Sequence, residues 1–135
     1  MILVVASGYF DPLHVGHIEY LELAKKLGDK LIVIINNDIQ AQLKKGHSFM
    51  NEKDRMKIVS SLECVDEIFL SIDKDKTQCK SLEFLKPNIF ANGGDRNNNE
   101  IPELSICKKL NIKIVDGLGK KIRSSSDFTG IKEGS

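Results

Sequence analysis

A strand passes into a helix through the segment Gly8-Tyr9-Phe10-Asp11-Pro12-Leu13-His14-Val15-Gly16-His17. Residues 2–6 are apolar and predict a strand, and apolar residues at helical spacing over 16–27 predict a helix that Gly28 ends. The first N–H groups of a helix have no backbone acceptors and lie at the positive end of its dipole, so phosphate groups bind there. The junction is therefore a candidate phosphate-binding site.

Two histidines and two glycines make this junction more specific than an ordinary turn. His14 lies in the loop and His17 in the first helical turn, where both can reach oxygen atoms held by the helix N–H groups. Gly8 and Gly16 are predicted to let a nucleotide approach the backbone closely. Capping or packing is the alternative role, but the complete set at a strand-to-helix junction favours a functional site. No third ligand cluster accompanies the histidines at a suitable spacing, so a zinc site is not favoured.

The whole chain alternates strands with helices. The predicted strands lie near 2–7, 30–36, 66–71, 88–91 and 112–115, and the predicted helices near 16–27, 51–62, 77–85 and 101–109, with a short helix after Asp38. Such alternation predicts a parallel sheet with right-handed crossovers. Residues 30–35 are almost continuously apolar, as expected for a strand covered by helices on both faces. The expected fold is a Rossmann-like, doubly wound, five-stranded α/β sheet, with residues 1–135 in one domain.

The junction matches the signature G-x-F-D-x-x-H-x-G-H, and on that motif the chain resembles the cytidylyltransferase-like nucleotidyltransferases over nearly its whole length. It is similar both to the glycerol-3-phosphate cytidylyltransferase branch and to the heptose-phosphate adenylyltransferase branch. The resemblance implies that His14 and His17 stabilise charge on the α-phosphate while a phosphate oxygen of the second substrate attacks it and pyrophosphate leaves. It also implies nucleotide contacts at Gly8, Tyr9, Phe10, Asp11 and Gly16.

Cations near the triphosphate should be the other essential groups, because phosphoryl-type transfer depends on positioning and charge stabilisation. Lys44 falls where the family carries a phosphate-binding lysine, and Lys45 is the next candidate for substrate binding. A solvated lysine pair is the alternative. Mg²⁺ is expected to accompany the triphosphate, held mostly by phosphate oxygens and water rather than directly by side chains. Asp11 is either a carboxylate near that ion or a cap on the loop after the strand.

Arg55 is a further cation that the resemblance singles out. It lies in the predicted amphipathic helix over 51–62, where Asn51 is a plausible N-cap before acidic residues. The family places an arginine on this helix near the active site, which makes Arg55 a candidate substrate-binding residue. The alternative is an exposed ion pair with Glu52.

Two further loops complete the predicted nucleotide site. The first, Gly93-Gly94-Asp95-Arg96, follows a strand, and ligands of open α/β sheets bind at such strand ends. In relatives a similar loop closes around the base and ribose. The second contains Arg123 followed by Ser124, Ser125 and Ser126, and it resembles a family loop that carries an arginine and hydroxyl residues. Hydroxyls and N–H groups at a helix start, beside Arg123, predict a second anion site, with a flexible serine-rich tail as the alternative.

Composition limits the classes of function. The chain has 135 residues, of which 41% are hydrophobic, enough for one core. A net charge of +1 argues against a nucleic-acid-binding surface, and no apolar stretch approaches the roughly 20 residues that cross a bilayer. The scattered Cys64, Cys79 and Cys107 predict thiols in a reducing compartment rather than disulfides or zinc ligands. No signal peptide is visible, so a cytoplasmic enzyme is expected.

The sequence thus predicts an enzyme that transfers CMP from CTP to a small phosphorylated alcohol or sugar and releases pyrophosphate. The alternative is ATP with a sugar phosphate, as in the heptose-phosphate branch, which residues 50–56 and the Gly93-Gly94-Asp95 loop favour. Lys76 and Lys80 are loose candidates for acceptor contacts. A non-catalytic nucleotide-binding sensor is the alternative from another class, although binding alone would not require both histidines with Lys44 and Arg123. The resemblance also implies a homodimer.

Overall fold

Parallel strands form the centre of the molecule. The computed structural model describes residues 1–93 and 102–118, apart from the side chain of Lys45. Its strands are β1 (Leu3–Gly8), β2 (Lys30–Ile35), β3 (Glu67–Leu70), β4 (Ile89–Gly93) and β5 (Lys113–Leu118), and its helices are α1 (Val15–Lys25), α2 (Asp38–Lys45), α3 (Glu52–Ser60), α4 (Cys79–Leu85) and α5 (Leu104–Lys109). The strands lie in the order β3-β2-β1-β4-β5, and every neighbouring pair is parallel. The predicted Rossmann-like, doubly wound sheet is confirmed.

Helices cover both faces of the sheet. Leu21 and Ala24 of α1 and Val59 of α3 are buried in the core on one face. Leu82 of α4 and Cys107 of α5 belong to the core on the other face. Every residue from Leu31 to Ile35 is buried, because β2 has a neighbouring strand on each side and core on both faces. This double burial is the physical reason for the uninterrupted apolar run in the sequence.

Helix α1 ends earlier than the sequence pattern predicts. Its last residue is Lys25, and Lys26 caps it, so Gly28 lies beyond the helix. A Cβ atom at Gly28 would lie 2.8 Å from the carbonyl oxygen of Ile2. The prediction that Gly28 ends the helix is therefore wrong. Gly28 instead lets the returning chain pass close to the start of β1.

The sheet opens between β1 and β4 at its carboxyl end. β1 pairs with β2 along its whole length, as far as Gly8 and Ile35. With β4 it pairs only as far as Ala6 and Ala91, although β4 continues to Gly93. The chain runs outward in opposite directions on the two sides of this gap, from β1 to β3 and from β4 to β5. In open α/β sheets such a switch point forms the ligand crevice.

The three cysteines are free thiols, as the sequence predicts. Cys107 is buried in the core, and burial raises the pKa of its thiol to about 11. This thiol therefore stays protonated near neutral pH.

The helices found within 1–93 and 102–118 are all too short or too polar to cross a bilayer.

Candidate active site

His14 and His17 cap the start of α1 reciprocally. His14 is the N-cap residue, and its Nδ1 accepts a hydrogen bond of 3.1 Å from the Gly16 N–H. The Nδ1 atom of His17 accepts a hydrogen bond of 3.1 Å from the His14 N–H. A neutral histidine whose Nδ1 is an acceptor carries its hydrogen on Nε2. The Nε2 atoms of both rings are therefore hydrogen-bond donors at a helix N-terminus.

Phe10 supports the histidine pair from the protein interior. The two imidazole rings stack with centroids 3.8 Å apart, and the ring of Phe10 meets His17 edge-on at 5.1 Å. Phe10 is 2% exposed, so the predicted nucleotide contact cannot be made by its side chain. A Cβ atom at Gly8 would lie 2.8 Å from the Phe10 ring. Gly8 therefore leaves room for this ring, a different role from the predicted approach of a nucleotide.

Both histidines are neutral near pH 7. The pKa of His17 is lowered to about 4, mainly by burial and to a smaller extent by the charge that His14 would carry when protonated and by the ammonium group of Lys44. Burial also lowers the pKa of His14. Protonation would remove the Nδ1 acceptors that the capping bonds use. The pair thus presents two oriented N–H donors, an arrangement that can stabilise negative charge developing on a phosphate in a transition state.

Lys44 brings positive charge to the same corner of the molecule. It lies in the last turn of α2, and its exposed side chain places Nζ 4.5 Å from the centroid of the Tyr9 ring. Its positive charge also helps to lower the pKa of His17. The structure therefore brings Tyr9, Lys44 and the histidines together. Lys45, the other lysine predicted here, has a side chain outside the described part of the chain.

Arg55 is buried and bonded to the protein interior. Its Nε donates to the Met50 carbonyl at 3.0 Å, and its Nη1 donates to the carbonyls of Tyr9 at 2.9 Å and Asn36 at 2.6 Å. Its Nη2 donates to Asp38 Oδ1 at 2.7 Å. With 0% exposure, the guanidinium joins the ends of β1 and β2 to the start of α2 and the loop before α3. The prediction of substrate binding is corrected, because these donors face protein acceptors.

The Arg55 guanidinium and its four acceptors are called the Arg55 clamp below. Two carboxylates accept hydrogen bonds from backbone N–H groups around this clamp. Glu52, the alternative partner predicted for Arg55, instead accepts a hydrogen bond of 2.8 Å from the Asp38 N–H. Asp11 accepts two hydrogen bonds of 2.7 Å, from Phe49 to Oδ2 and from Met50 to Oδ1. Asp11 therefore has a capping role, although the loop it caps precedes α3 and does not directly follow β1.

The donor set of the described residues does not fit a protein-held Mg²⁺ ion. Within 1–93 and 102–118, no three His, Cys, Asp or Glu side chains are grouped so that they could hold a metal. Both carboxylate oxygens of Asp11 already accept backbone N–H groups. A magnesium ion in this site stays a prediction, and its ligands would have to come from the triphosphate and water.

The end of β4 borders the other side of the crevice. A Cβ atom at Gly93 would meet no atom of residues 1–93 and 102–118 within 4 Å, so these residues leave space beside it. Lys76 and Lys80, the loose acceptor candidates, are exposed in the β3–α4 loop and in α4. The other predicted residues of the nucleotide site lie outside the described residues: Gly94, Asp95, Arg96, Arg123, Ser124, Ser125 and Ser126.

Sequence reasoning missed Tyr20, which lies at the opening between β1 and β4. Its hydroxyl accepts a hydrogen bond of 3.2 Å from the Ser7 N–H and donates one of 2.7 Å to the Ala91 carbonyl. Tyr20 follows His17 by three residues in α1, so both belong to one side of the helix. A tyrosine on the buried side of this helix was the available signal, because a buried hydroxyl needs a partner.

The family model described as cytidylyltransferase-like matches residues 5–126. The chain belongs to this family. The predicted membership of the cytidylyltransferase-like nucleotidyltransferase family is confirmed by this match.

The curated relatives include proteins named bifunctional protein HldE. That of Aliarcobacter butzleri (strain RM4018) is 37% identical over 118 residues, which is 85% of this chain and 24% of that protein. That of Helicobacter pylori (strain Shi470) is 42% identical over 112 residues, or 82% of this chain and 24% of that protein. The chain thus spans about a quarter of the length of these relatives.

Two solved structures are similar to this chain in fold, and one of them is also similar in sequence. The lipopolysaccharide core biosynthesis protein from Thermoplasma volcanium GSS1 has a TM-score of 0.74 and 36% identity, and the match covers 86% of this chain and 95% of that chain. A pantoate-β-alanine ligase from Francisella tularensis has a TM-score of 0.60 at 19% identity, over 93% of this chain and 61% of that chain. The second likeness concerns the fold alone.

Proposed function

We propose that this protein transfers the adenylyl group of ATP to a phosphate oxygen of a sugar phosphate and releases pyrophosphate. In this step an acceptor phosphate oxygen forms a bond to the α-phosphorus, and the bond from that phosphorus to the bridging oxygen of the β-phosphate breaks. The electron pair leaves with pyrophosphate. No covalent enzyme intermediate is needed, because positioning and charge stabilisation carry such a transfer.

One observation carries the proposal: the Nε2–H groups of His14 and His17 stand together at the N-terminus of α1. Their Nδ1 atoms are fixed by capping bonds, so the orientation of both donors is set before substrate binds. Neutral donors in a half-buried corner bind an anion without a large desolvation cost for themselves. They would contact the oxygens of the α-phosphate, where charge increases during the transfer.

Lys44 would contribute positive charge to the triphosphate site, and Arg55 would hold Lys44 in position. The ammonium group of Lys44 lies near His17 and against the Tyr9 ring, where it can meet phosphate oxygens of the triphosphate. The Arg55 guanidinium holds the Tyr9 carbonyl and the Asp38 carboxylate at the start of α2. The buried clamp therefore fixes both the ring and the helix that place Lys44.

Two likenesses favour ATP and a sugar phosphate over the CTP reaction that the sequence first indicates. The chain resembles the heptose-phosphate adenylyltransferase branch, and the relatives named bifunctional protein HldE match most of it. The structure with a TM-score of 0.74 is a lipopolysaccharide core biosynthesis protein, and such cores are built from sugars. A comparison of ATP with CTP tests this choice of nucleotide directly.

Mg²⁺ belongs to the proposal only as an ion that arrives with the triphosphate. When bound there it would neutralise part of the phosphate charge. The residues of this chain would orient the α-phosphate and hold the chain segments around it. The homodimer, the cytoplasmic location and the single domain over 1–135 stay predictions, the first of which analytical ultracentrifugation would test.

The test is pyrophosphate release by the purified protein with MgCl₂. ATP and CTP should each be combined with sugar 1-phosphates, including a heptose phosphate, and with glycerol 3-phosphate. We expect release with ATP and a sugar phosphate, and none when the acceptor is omitted. The variant His17→Gln tests the histidine donors. Glutamine at this helix position can keep the capping bond, but the imidazole Nε2–H is lost, so we expect less pyrophosphate release.

Each possible result supports or contradicts a particular function. Release only with CTP would replace the proposal with the cytidylyltransferase reading. Tight nucleotide binding with no release for any acceptor would favour the non-catalytic sensor. Equal release by the wild type and His17→Gln would contradict the role of the histidine donors.

A further inference from the structure

The backbone pairing between β1 and β4 stops where the proposed nucleotide would enter. Ala6 pairs with Ala91, but the next residue of β1, Ser7, has no partner residue in β4. On its other side β1 stays bonded to β2, and the Asn36 N–H donates to the Gly8 carbonyl at 2.9 Å. The end of β1 is thus held firmly toward β2, while its attachment toward β4 depends on something other than the ladder.

The Tyr20 hydroxyl makes that attachment. The Ser7 N–H donates to the hydroxyl at 3.2 Å, and the hydroxyl donates to the Ala91 carbonyl at 2.7 Å. A second acceptor, the Ser7 carbonyl, lies 3.5 Å away, so the hydroxyl proton belongs with the nearer Ala91 oxygen. One oxygen atom therefore stands between two strands where a direct N–H to carbonyl bond would otherwise close the sheet. Tyr20 is 8% exposed, so water does not easily substitute for it.

The same side chain also connects the strands to the histidine pair. Tyr20 lies on α1, whose N-terminus carries His14 and His17. The β1 end leads into the loop that ends at His14, and the β4 end leads to Gly93. The hydroxyl thus connects two sides of the crevice: the side made by β1 and α1, which carries the histidines and is called the phosphate side here, and the side made by β4.

We propose that Tyr20 is a positioning residue: its hydroxyl holds β1 and β4 at the separation that lets one nucleotide contact both sides of the crevice. This inference rests on the proposed function, because it assumes that a nucleoside triphosphate spans the opening. A ligand that touches both sides needs the correct separation. A ligand that touches only the phosphate side, such as inorganic pyrophosphate, does not.

The test compares the affinities of Tyr20→Phe and the wild type for ATP and for inorganic pyrophosphate, both with MgCl₂, by isothermal titration calorimetry. Phenylalanine keeps the buried ring and removes only the hydroxyl. We expect the Kd for ATP to rise about tenfold, as when about one molecule in ten keeps the binding geometry. The Kd for pyrophosphate should change less than about twofold, because the phosphate side is intact.

Ile112→Val provides a control for a general loss of stability. Ile112 is buried, and it precedes β5 at the end of the sheet opposite the crevice. This variant should lower the thermal midpoint and leave both affinities unchanged. If Tyr20 were only a stabilising residue, Tyr20→Phe would behave in the same way.

The outcomes separate the inference from the proposed function. If the wild type binds ATP and Tyr20→Phe binds it equally well, the inference is wrong and the proposed function stands. A parallel loss of ATP and pyrophosphate affinity would also overturn the inference, since the damage would then lie on the phosphate side. A wild type that binds no nucleotide would overturn both. If Tyr20→Phe does not fold, hydrogen exchange of the Ser7 amide in the wild type decides: slow exchange without nucleotide supports the bridge, and fast exchange contradicts it.

Discussion

Two cations contact Tyr9, and their surroundings are opposite. Lys44 lies against the Tyr9 ring with an exposed side chain, 4.5 Å from the ring centroid. Arg55 bonds to the Tyr9 carbonyl and is 0% exposed. In the sequence both appear as basic residues near a nucleotide motif. The comparison teaches that burial and bonding, more than charge, decide which cation can meet a ligand and which one holds the loops.

The chemistry of the two side chains suits these positions. The planar guanidinium presents several donors in a fixed fork, and Arg55 uses them on three carbonyls and the carboxylate of Asp38. An ammonium group is a compact and strongly hydrated charge on a flexible stem, which suits the exposed position of Lys44. Exchanging the two residue types would therefore harm both positions.

Removal of the Arg55 guanidinium should have the largest effect. Arg55→Met keeps much of the buried volume but leaves the Tyr9, Asn36 and Met50 carbonyls without their donor. Removing one partner of a buried charged network costs about 3 kcal/mol or more, so the thermal midpoint should fall by roughly 10 °C. Differential scanning calorimetry measures this fall. The thermal midpoint of Arg55→Lys, which keeps the charge but loses the forked donors, should lie between those of the wild type and Arg55→Met. An unchanged midpoint in Arg55→Met would contradict the structural role of the Arg55 clamp.

His17→Ala tests the part of the site that is proposed to contact the ligand. Loss of one charge-stabilising donor should lower kcat on the order of 10²-fold, equivalent to about 2.7 kcal/mol, while nucleotide still binds. Steady-state pyrophosphate release measures the rate, and calorimetry measures the binding. His17→Gln should lose a similar factor with a smaller loss of stability, because it can keep the capping bond to His14. Undiminished turnover in His17→Ala would contradict the proposed role of the histidine pair.

Lys44→Met should have a smaller effect, confined to ligand binding. Its cation–π contact with Tyr9 is exposed and stabilises the fold by only about 0.5–1 kcal/mol. The KM for ATP should rise about tenfold, as for the loss of one charge-assisted phosphate contact. Lys44→Arg should retain most of the affinity. Lys57→Met, an exposed lysine in α3, serves as the control for a change in net charge and should leave the KM unchanged.

The sequence could predict the parts of the fold that depend on local pattern. Residues 30–35 had to be a strand, because an apolar run of that length fits a sheet buried on both faces. The histidine junction could be placed at a helix N-terminus for a similar reason, and His14 is indeed the N-cap. These inferences need only neighbours in the chain.

The parts that sequence could not predict depend on distant segments. The pattern offered Arg55 a partner three residues away, Glu52, but its acceptors lie in segments around residues 9, 36, 38 and 50. Glu52 bonds to the Asp38 N–H instead. Likewise, the reason for Gly28 is the backbone of Ile2, and the bridge made by Tyr20 ends at Ala91. Only the folded chain brings these groups together.

The titration of His17 sharpens the contrast between neutral donors and charged cations, and its effect on stability is confined to acidic pH. Its pKa in the folded protein is lowered to about 4, mainly by burial and less by the Lys44 ammonium group and by His14 when that ring is protonated. Because the unfolded chain has an ordinary histidine pKa near 6.5, it takes up the proton first as the pH falls. The stabilising contribution of neutral His17 is therefore complete above about pH 6.5 and is lost between about 6.5 and 4. Thermal unfolding should show a smaller decrease over this range in His17→Gln than in the wild type, because glutamine does not titrate. An NMR titration of the His17 ring near pH 6.5 in the nucleotide-free protein would contradict the lowered pKa of the buried ring.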